Sequence, residues 1–253
     1  MGEHDTDPLV GLFVVMKIPF VATVVVVCVL VGLGLLVPQS DDLDALIGLA
    51  ESGDADAQFN LGINYEIGNG VSIDVENAAS WLRRAADQGH SGAQFSLAQK
   101  YFEGAGVDQD AVEAVKWTRR AAKQEHMLAQ LSLGQLYFFG QGVQQDDSQA
   151  AKWIRKAAEQ GYARAEDNLG WLYSTGRGVS QDDNAAIQWY RRAAEKGLAT
   201  AQFSLGLMYA TGRGVGRDMG EAEHWYQLAA EQGYKEAKGA LLDLENSGDV
   251  SEF

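Results

Sequence analysis

The chain has 253 residues, long enough for one or two ordinary domains. Its 35 acidic and 20 basic side chains give a net charge of −15, which argues against nucleic acid as a partner, because phosphate binding needs a basic face. A single cysteine, Cys28, excludes an intrachain disulfide framework and a Cys-based zinc site, and 4 histidines leave little for metal or acid–base chemistry.

The 3 prolines, Pro8, Pro19 and Pro38, all fall near the start, so composition splits the chain in two. Residues 18–37 carry no charge and are apolar on every side. At about 1.5 Å per helical residue such a stretch matches the roughly 30 Å of a bilayer core, and it is expected to be a transmembrane helix. It exceeds the h-region of a cleaved signal peptide and no Ala-x-Ala follows, which favours an uncleaved anchor over a secreted protein. Lys17 precedes it and Asp41, Asp42 and Asp44 follow. The positive-inside rule then keeps the N-terminus in the cytoplasm. The expectation is a single-pass protein of a bacterial inner membrane, its remainder facing the periplasm. Translation starts at Met1 or at Met16, where Met16-Lys17 opens an export-like pattern. The expected organisation is a short segment 1–17, the helix 18–37, a linker 38–42, a repeat domain 43–246 and a tail 247–253.

Self-similarity dominates the rest. Ala57-Gln-Phe-Asn-Leu-Gly returns at Ala93, Ala129, Ala165 and Ala201, dividing the chain into units 57–92, 93–128, 129–164, 165–200 and 201–236. Within each unit the opening Ala, Leu and Tyr (Ala57, Leu61 and Tyr65 in the first) fall at i, i+4 and i+8, the stripe of a first helix. A Gly-x-Gly-Val turn such as Gly68/Gly70/Val71 ends it. An aspartate follows (Asp74, Asp110, Asp146, Asp182, Asp218), suited to cap the next helix by accepting its free N–H groups. Ala78, Trp81 and Ala85 then share one face of the second helix, which places the column Trp81, Trp117, Trp153, Trp189 and Trp225 in the core. Gly89, Gly161, Gly197 and Gly233 stop four of the second helices. Glu125 stands in the fifth place and predicts a less sharp end there. Leu43–Ser52 reads as a lone second helix before the array and Ala237–Asn246 as a lone first helix after it. No single helix pair buries both of its stripes, so the units must stack.

The pattern Ala-x3-Leu-Gly-x2-Tyr-x2-Gly-x-Gly-Val-x2-Asp-x3-Ala-x2-Trp-x3-Ala-Ala over residues 57–236 resembles the Sel-1-like repeat, a branch of the tetratricopeptide-like repeats. The resemblance implies an all-α fold, a right-handed α-solenoid of five 36-residue repeats with half-repeat caps. It also implies a scaffold or adaptor that binds a protein or peptide along its concave side. The family often places Pro after Gly-Val; here stand Ser72, Asp108, Gln144, Ser180 and Gly216. A cysteine-rich branch was associated with β-lactam binding, and a repeat domain without cysteine does not inherit that association.

No catalytic, metal or cofactor constellation emerges, so the chain is read as not an enzyme; a periplasmic or secreted repeat protein with hydrolase activity is the alternative class. His90 and His126 share a column of turn or surface residues, and His224 beside Trp225 faces solvent. Asp146-Asp147 and Asp182-Asp183 read as a cap plus a first-turn acid rather than a carboxylate dyad. Gly-x-Gly without Gly-Lys-Ser/Thr is no phosphate loop.

Candidate binding residues come from first-helix columns that vary between units. One holds Ile63, Gln99, Gln135, Trp171 and Leu207; another holds Glu66, Phe102, Phe138, Ser174 and Ala210, with Phe139 beside Phe138. Sister units do without Phe102, Phe138, Phe139 and Trp171. These, with Ile63 and Leu207, are expected either to form an apolar groove flanked by Glu66, Glu103 and Asp167 or to fill local gaps between units. A neighbouring column, Phe59, Phe95, Leu131 and Phe203, is expected to pack between units, with Asp167 breaking it.

Overall fold

The computed structural model describes residues 40–247. Within them the fold is all-α, twelve helices and no strand, consistent with a helical-repeat solenoid of five repeats. The helices are α1 (Ser40–Glu51), α2 (Ala55–Ile67), α3 (Val75–Asp87), α4 (Ser91–Glu103), α5 (Ala111–Lys123), α6 (Met127–Phe139), α7 (Asp147–Glu159), α8 (Ala163–Thr175), α9 (Asp183–Glu195), α10 (Ala199–Thr211), α11 (Met219–Glu231) and α12 (Lys235–Ser247). They fall into two compact units, α1–α6 and α7–α12.

Among the described residues no helix is long and apolar enough to cross a membrane. This overturns the expected single-pass inner-membrane localisation. The segment 18–37, to which the spanning helix was assigned, lies outside the described residues.

Local chemistry fixes most boundaries, although α8 and α10 start without a side-chain cap. The first helices α2, α4, α6, α8 and α10 end on Gly68, Gly104, Gly140, Gly176 and Gly212, all left-handed. The cap glycine's N–H reaches back to the last turn, as from Gly68 to the Asn64 carbonyl. The second helices α3, α5, α7, α9 and α11 start on the aspartate column, each carboxylate accepting backbone N–H groups one turn on. Glu125 takes the position that glycine fills elsewhere and adopts φ 62°, so α5 stops as cleanly as its sisters.

In the 40–145 unit each helix packs on the next in chain order. Ala50, Ala57 and Leu61 form one apolar cluster, and Leu82, Ala85, Ala86, Ala93, Leu97, Ala98 and Trp117 another. In the 146–247 unit the same columns close the core, with Tyr190 and Tyr226 where Leu82 stands in the first repeat. These tyrosines explain the Leu-Gly pair of the first helix. A Cβ on Gly170 would lie 2.8 Å from Tyr190, and one on Gly206 2.7 Å from Tyr226.

The tryptophan column is not the core expected of it. Trp117 is buried, whereas Trp81, Trp153, Trp189 and Trp225 are half-buried. A cation one turn on covers the ring: Arg84 lies 4.3 Å from the Trp81 centroid, Arg120 4.3 Å from Trp117, Lys156 5.3 Å from Trp153 and Arg192 4.5 Å from Trp189. The next residue along (Leu82, Thr118, Ile154, Tyr190, Tyr226) takes the deepest place.

Two further ties join successive repeats inside a unit. Arg83 donates to the hydroxyl of Tyr101, Arg119 to that of Tyr137 at 3.0 Å, Arg155 to Tyr173 at 2.7 Å and Arg191 to Tyr209 at 2.5 Å. A glutamine ladder runs alongside. Gln58, Gln94 and Gln202 each donate to a carbonyl eight residues back and accept from Gln88, Gln124 and Gln232.

Candidate protein-binding surface

In the 40–145 unit Ile63 (α2) and Phe102 (α4) are half-buried. Phe138 (α6) is only 5% exposed, while its neighbour Phe139 is 37% exposed. Their rings meet edge-on at 5.0 Å, so Phe138 supports the ring that reaches solvent. Beside them Lys100 Nζ lies 2.7 Å from Glu66 Oε1, both side chains largely withdrawn from water. Glu103 is exposed.

In the 146–247 unit Leu207 (α10) is half-buried, whereas Trp171 (α8) is only 4% exposed. The Arg177 guanidinium lies 5.7 Å from the Trp171 ring centroid, and Asp167 stands one turn earlier on the same helix. In three other repeats an aromatic ring at this position meets the residue before the next first helix: Phe59 stacks on His90 at 4.5 Å, and Phe95 and Phe203 lie tilted against His126 at 5.0 Å and Tyr234 at 5.3 Å. Asp167 is itself buried. Its Oδ2 accepts from Thr200 at 2.7 Å, and its Oδ1 has no hydrogen-bond partner. Burial pushes its carboxyl up to about 7, opposed by the Thr200 bond. Ser174 Oγ lies 3.4 Å from the fully buried Tyr190 hydroxyl. Burial foremost, with the nearby Asp167 charge, holds that phenol protonated.

Adjacent to Asp167 the ladder changes sign. Glu166 replaces glutamine, and Lys196 Nζ stands 2.6 Å from Glu166 Oε2 with Arg192 Nε 3.0 Å from Oε1. The glutamate is buried, and two half-exposed cations neutralise it.

His90 and His126 do more than occupy turns. Their Nδ1 atoms accept the Ala93 and Ala129 N–H groups at 3.0 and 3.2 Å, capping α4 and α6. Burial, with His90 nearby, lowers the His126 pKa and favours the neutral ring that such a cap requires. Asp54 caps α2 in the same way, at 2.7 Å. His224 is exposed. Asp147 and Asp183, beyond following a capping aspartate, hold Arg177 and Arg213 at 3.0 and 2.9 Å. Among the described residues no three His, Cys, Asp or Glu side chains converge on a place for a metal ion.

An exposed group that the candidate residues did not include lies at the starts of α3 and α5: Ile73, Val75 and Val112. The signal was the polar or small residues of most sister repeats in those columns.

Stacked helix pairs with unit-specific side chains on a repeated frame define a repeat-scaffold protein. The Sel1 repeat matches residues 55–90, 91–126, 128–162, 163–198 and 199–234, and the chain belongs to the Sel1 repeat family. Proteins of this family are protein-interaction scaffolds. Among solved structures, a protective antigen of uropathogenic Escherichia coli with the same repeat fold is 39% identical, with a TM-score of 0.79. The match covers 81% of this chain and 44% of that one, so this chain spans less than half of the antigen's length. A Sel1 repeat protein from Oxalobacter formigenes is 38% identical over 76% of this chain and 79% of its own, with a TM-score of 0.72. No curated protein matches the chain.

Proposed function

We propose that the chain is a protein-interaction scaffold whose first helices receive an apolar segment of a partner protein. One observation carries the reading. Phe102 shares its column with Glu66, Phe138, Ser174 and Ala210, and Phe139 shares its own with Ile67, Glu103, Thr175 and Thr211, so the frame does not require an aromatic ring at either place, and both remain accessible in the 40–145 unit. Ile63 lies on the same face by register, and Phe138 braces Phe139 from below. In the 146–247 unit Leu207 is the accessible member, and the buried Trp171 supports the surface rather than touching the partner. Glu103 beside Phe102 favours a partner with a basic residue near its apolar one.

A photo-crosslinking phenylalanine analogue placed at Phe139 or Phe102 tests this, with the same analogue at the outward His224 as control. The captured partner should crosslink from 139 and 102 and not from 224. Its purified segment should then bind Phe102→Ser/Phe139→Ser about tenfold more weakly, with the thermal melt unchanged. Equal crosslinking at 224, or undiminished affinity, overturns the proposal.

A further inference from the structure

We infer that the starts of α3 and α5 form a second docking surface, separate from the first-helix face, for a partner segment that intersperses apolar side chains with Lys or Arg. Ile73 precedes the α3 cap and is 66% exposed; Val75 opens α3 at 38%, and Val112 is the second residue of α5 at 55%.

The fold does not ask for these side chains. Sister repeats carry Gln109, Gln145, Gln181 and Arg217 at the Ile73 position, Ala111, Asp147, Asp183 and Met219 at the Val75 position, and Glu76, Ser148, Asn184 and Gly220 at the Val112 position. Several of those polar residues tie the structure together. Gln109 donates to the Phe102 carbonyl at 2.6 Å, Gln181 to that of Ser174 at 3.1 Å and Arg217 to that of Ala210 at 3.2 Å. Isoleucine at 73 has no donor for such a bond. It exposes an apolar side chain where a glutamine would both tie the turn and suit water.

By register the three stand at the same N-terminal ends of α3 and α5, the second helices of successive repeats. The turn after α4 rests directly on the start of α3, so that a Cβ on Gly106 would overlap the Val75 carbonyl. Six residues beyond Gly106 comes Val112.

Charge selects the occupant. Asp74, Glu76, Asp108 and Asp110 lie among the three aliphatics, and the nearby Lys116 is held by Glu113 at 2.7 Å. Asp74 is firmly ionised, its carboxyl held below the ordinary range by the Asn77 backbone and side-chain bonds. An apolar strip with an acidic border attracts a cationic amphipathic segment and repels anionic lipid or nucleic acid.

The test uses the full chain and a fluorescent synthetic peptide of leucine and lysine, against Ile73→Gln/Val75→Asp/Val112→Glu. Each substitution installs a residue that a sister repeat already carries at that place, so the fold is kept. The variant is also more acidic. Attraction by charge alone would therefore strengthen its binding, whereas docking on the aliphatics predicts binding about tenfold weaker with unchanged helicity and melt. Equal or tighter binding by the variant overturns the inference, as does equal binding of a serine–lysine peptide. Flotation of the wild type but not the variant with phosphatidylglycerol vesicles would instead assign the strip to a membrane. A wild-type dimer that the variant abolishes in sedimentation would assign it to a second copy of the chain. Either result overturns the inference.

Discussion

The Thr200 hydroxyl donates to Asp167 Oδ2 at 2.7 Å and joins α8 to α10 where three sister repeats set an aromatic ring against the residue before the next first helix. The contact exchanges an apolar stack for a single hydrogen bond to a buried acid, and it makes this part of the fold sensitive to pH.

Folded Asp167 titrates at about 7, against an ordinary 3.8, because burial disfavours its charge. Between those values the native chain holds a proton that the unfolded chain has released. Stability therefore falls as pH rises from about 4 to about 7 and levels off above. Asp167→Asn removes the charge and should gain about 1–4 kcal/mol at pH 8, with much less at pH 5. Urea denaturation at both values measures it; a gain that does not depend on pH would refute the assignment.

The Glu166–Lys196 pair should behave as a unit. Lys196→Gln leaves the buried carboxylate to Arg192 and should cost about 1 kcal/mol, a figure held down by solvent screening at the half-exposed lysine. Adding Glu166→Gln recreates the Gln–Gln bond of the sister repeats and should recover most of that loss. A double-mutant cycle on denaturation midpoints reads the coupling, and additive losses would contradict it.

The tryptophans should not be equivalent. Trp117→Ala empties a buried site and should cost about 3–5 kcal/mol. Trp153→Ala and Trp189→Ala remove half-exposed rings already covered by a cation, for about 1–2 kcal/mol. Equal losses across the column would return it to the core.

Glu125 holds φ 62° without being glycine. Glu125→Gly should therefore raise stability by about 0.5–1 kcal/mol, the reverse of the usual glycine penalty. A lower melting temperature in the variant would show that this side chain contributes more than its backbone costs.

Much of this was legible in the residues. Periodicity gave the helices, and the Asp and Gly columns gave their ends, because caps depend on local chemistry alone. Reading Trp81, Trp153, Trp189 and Trp225 as core, which holds for Trp117 alone, came from weighing size without the neighbouring column. Arg84, Lys156 and Arg192, one turn on, cover the half-buried rings. His90 and His126 share the Asp54 position, which was enough to mark them as caps. Register showed that Phe138, Phe139 and Trp171 lie near variable faces, yet not what covers each of them. Burial depends on the next helix, and the exchange of Phe for Asp167 beside Trp171 was visible only as a departure. The membrane assignment rested on the hydropathy and length of residues 18–37 and on the flanking charges.

Chains of near-identical repeats face a hazard that irregular folds avoid: a helix pair can dock one unit out of step and still bury its stripe. The uniform ladder is blind to such a slip, since one glutamine replaces another. Glu166 is not. Shifted by one repeat it would face Gln232 instead of Lys196, leaving a carboxylate under the array with a neutral partner. The ion pairs of Glu166 with Lys196 and Arg192 thus set this repeat's register apart from its sisters.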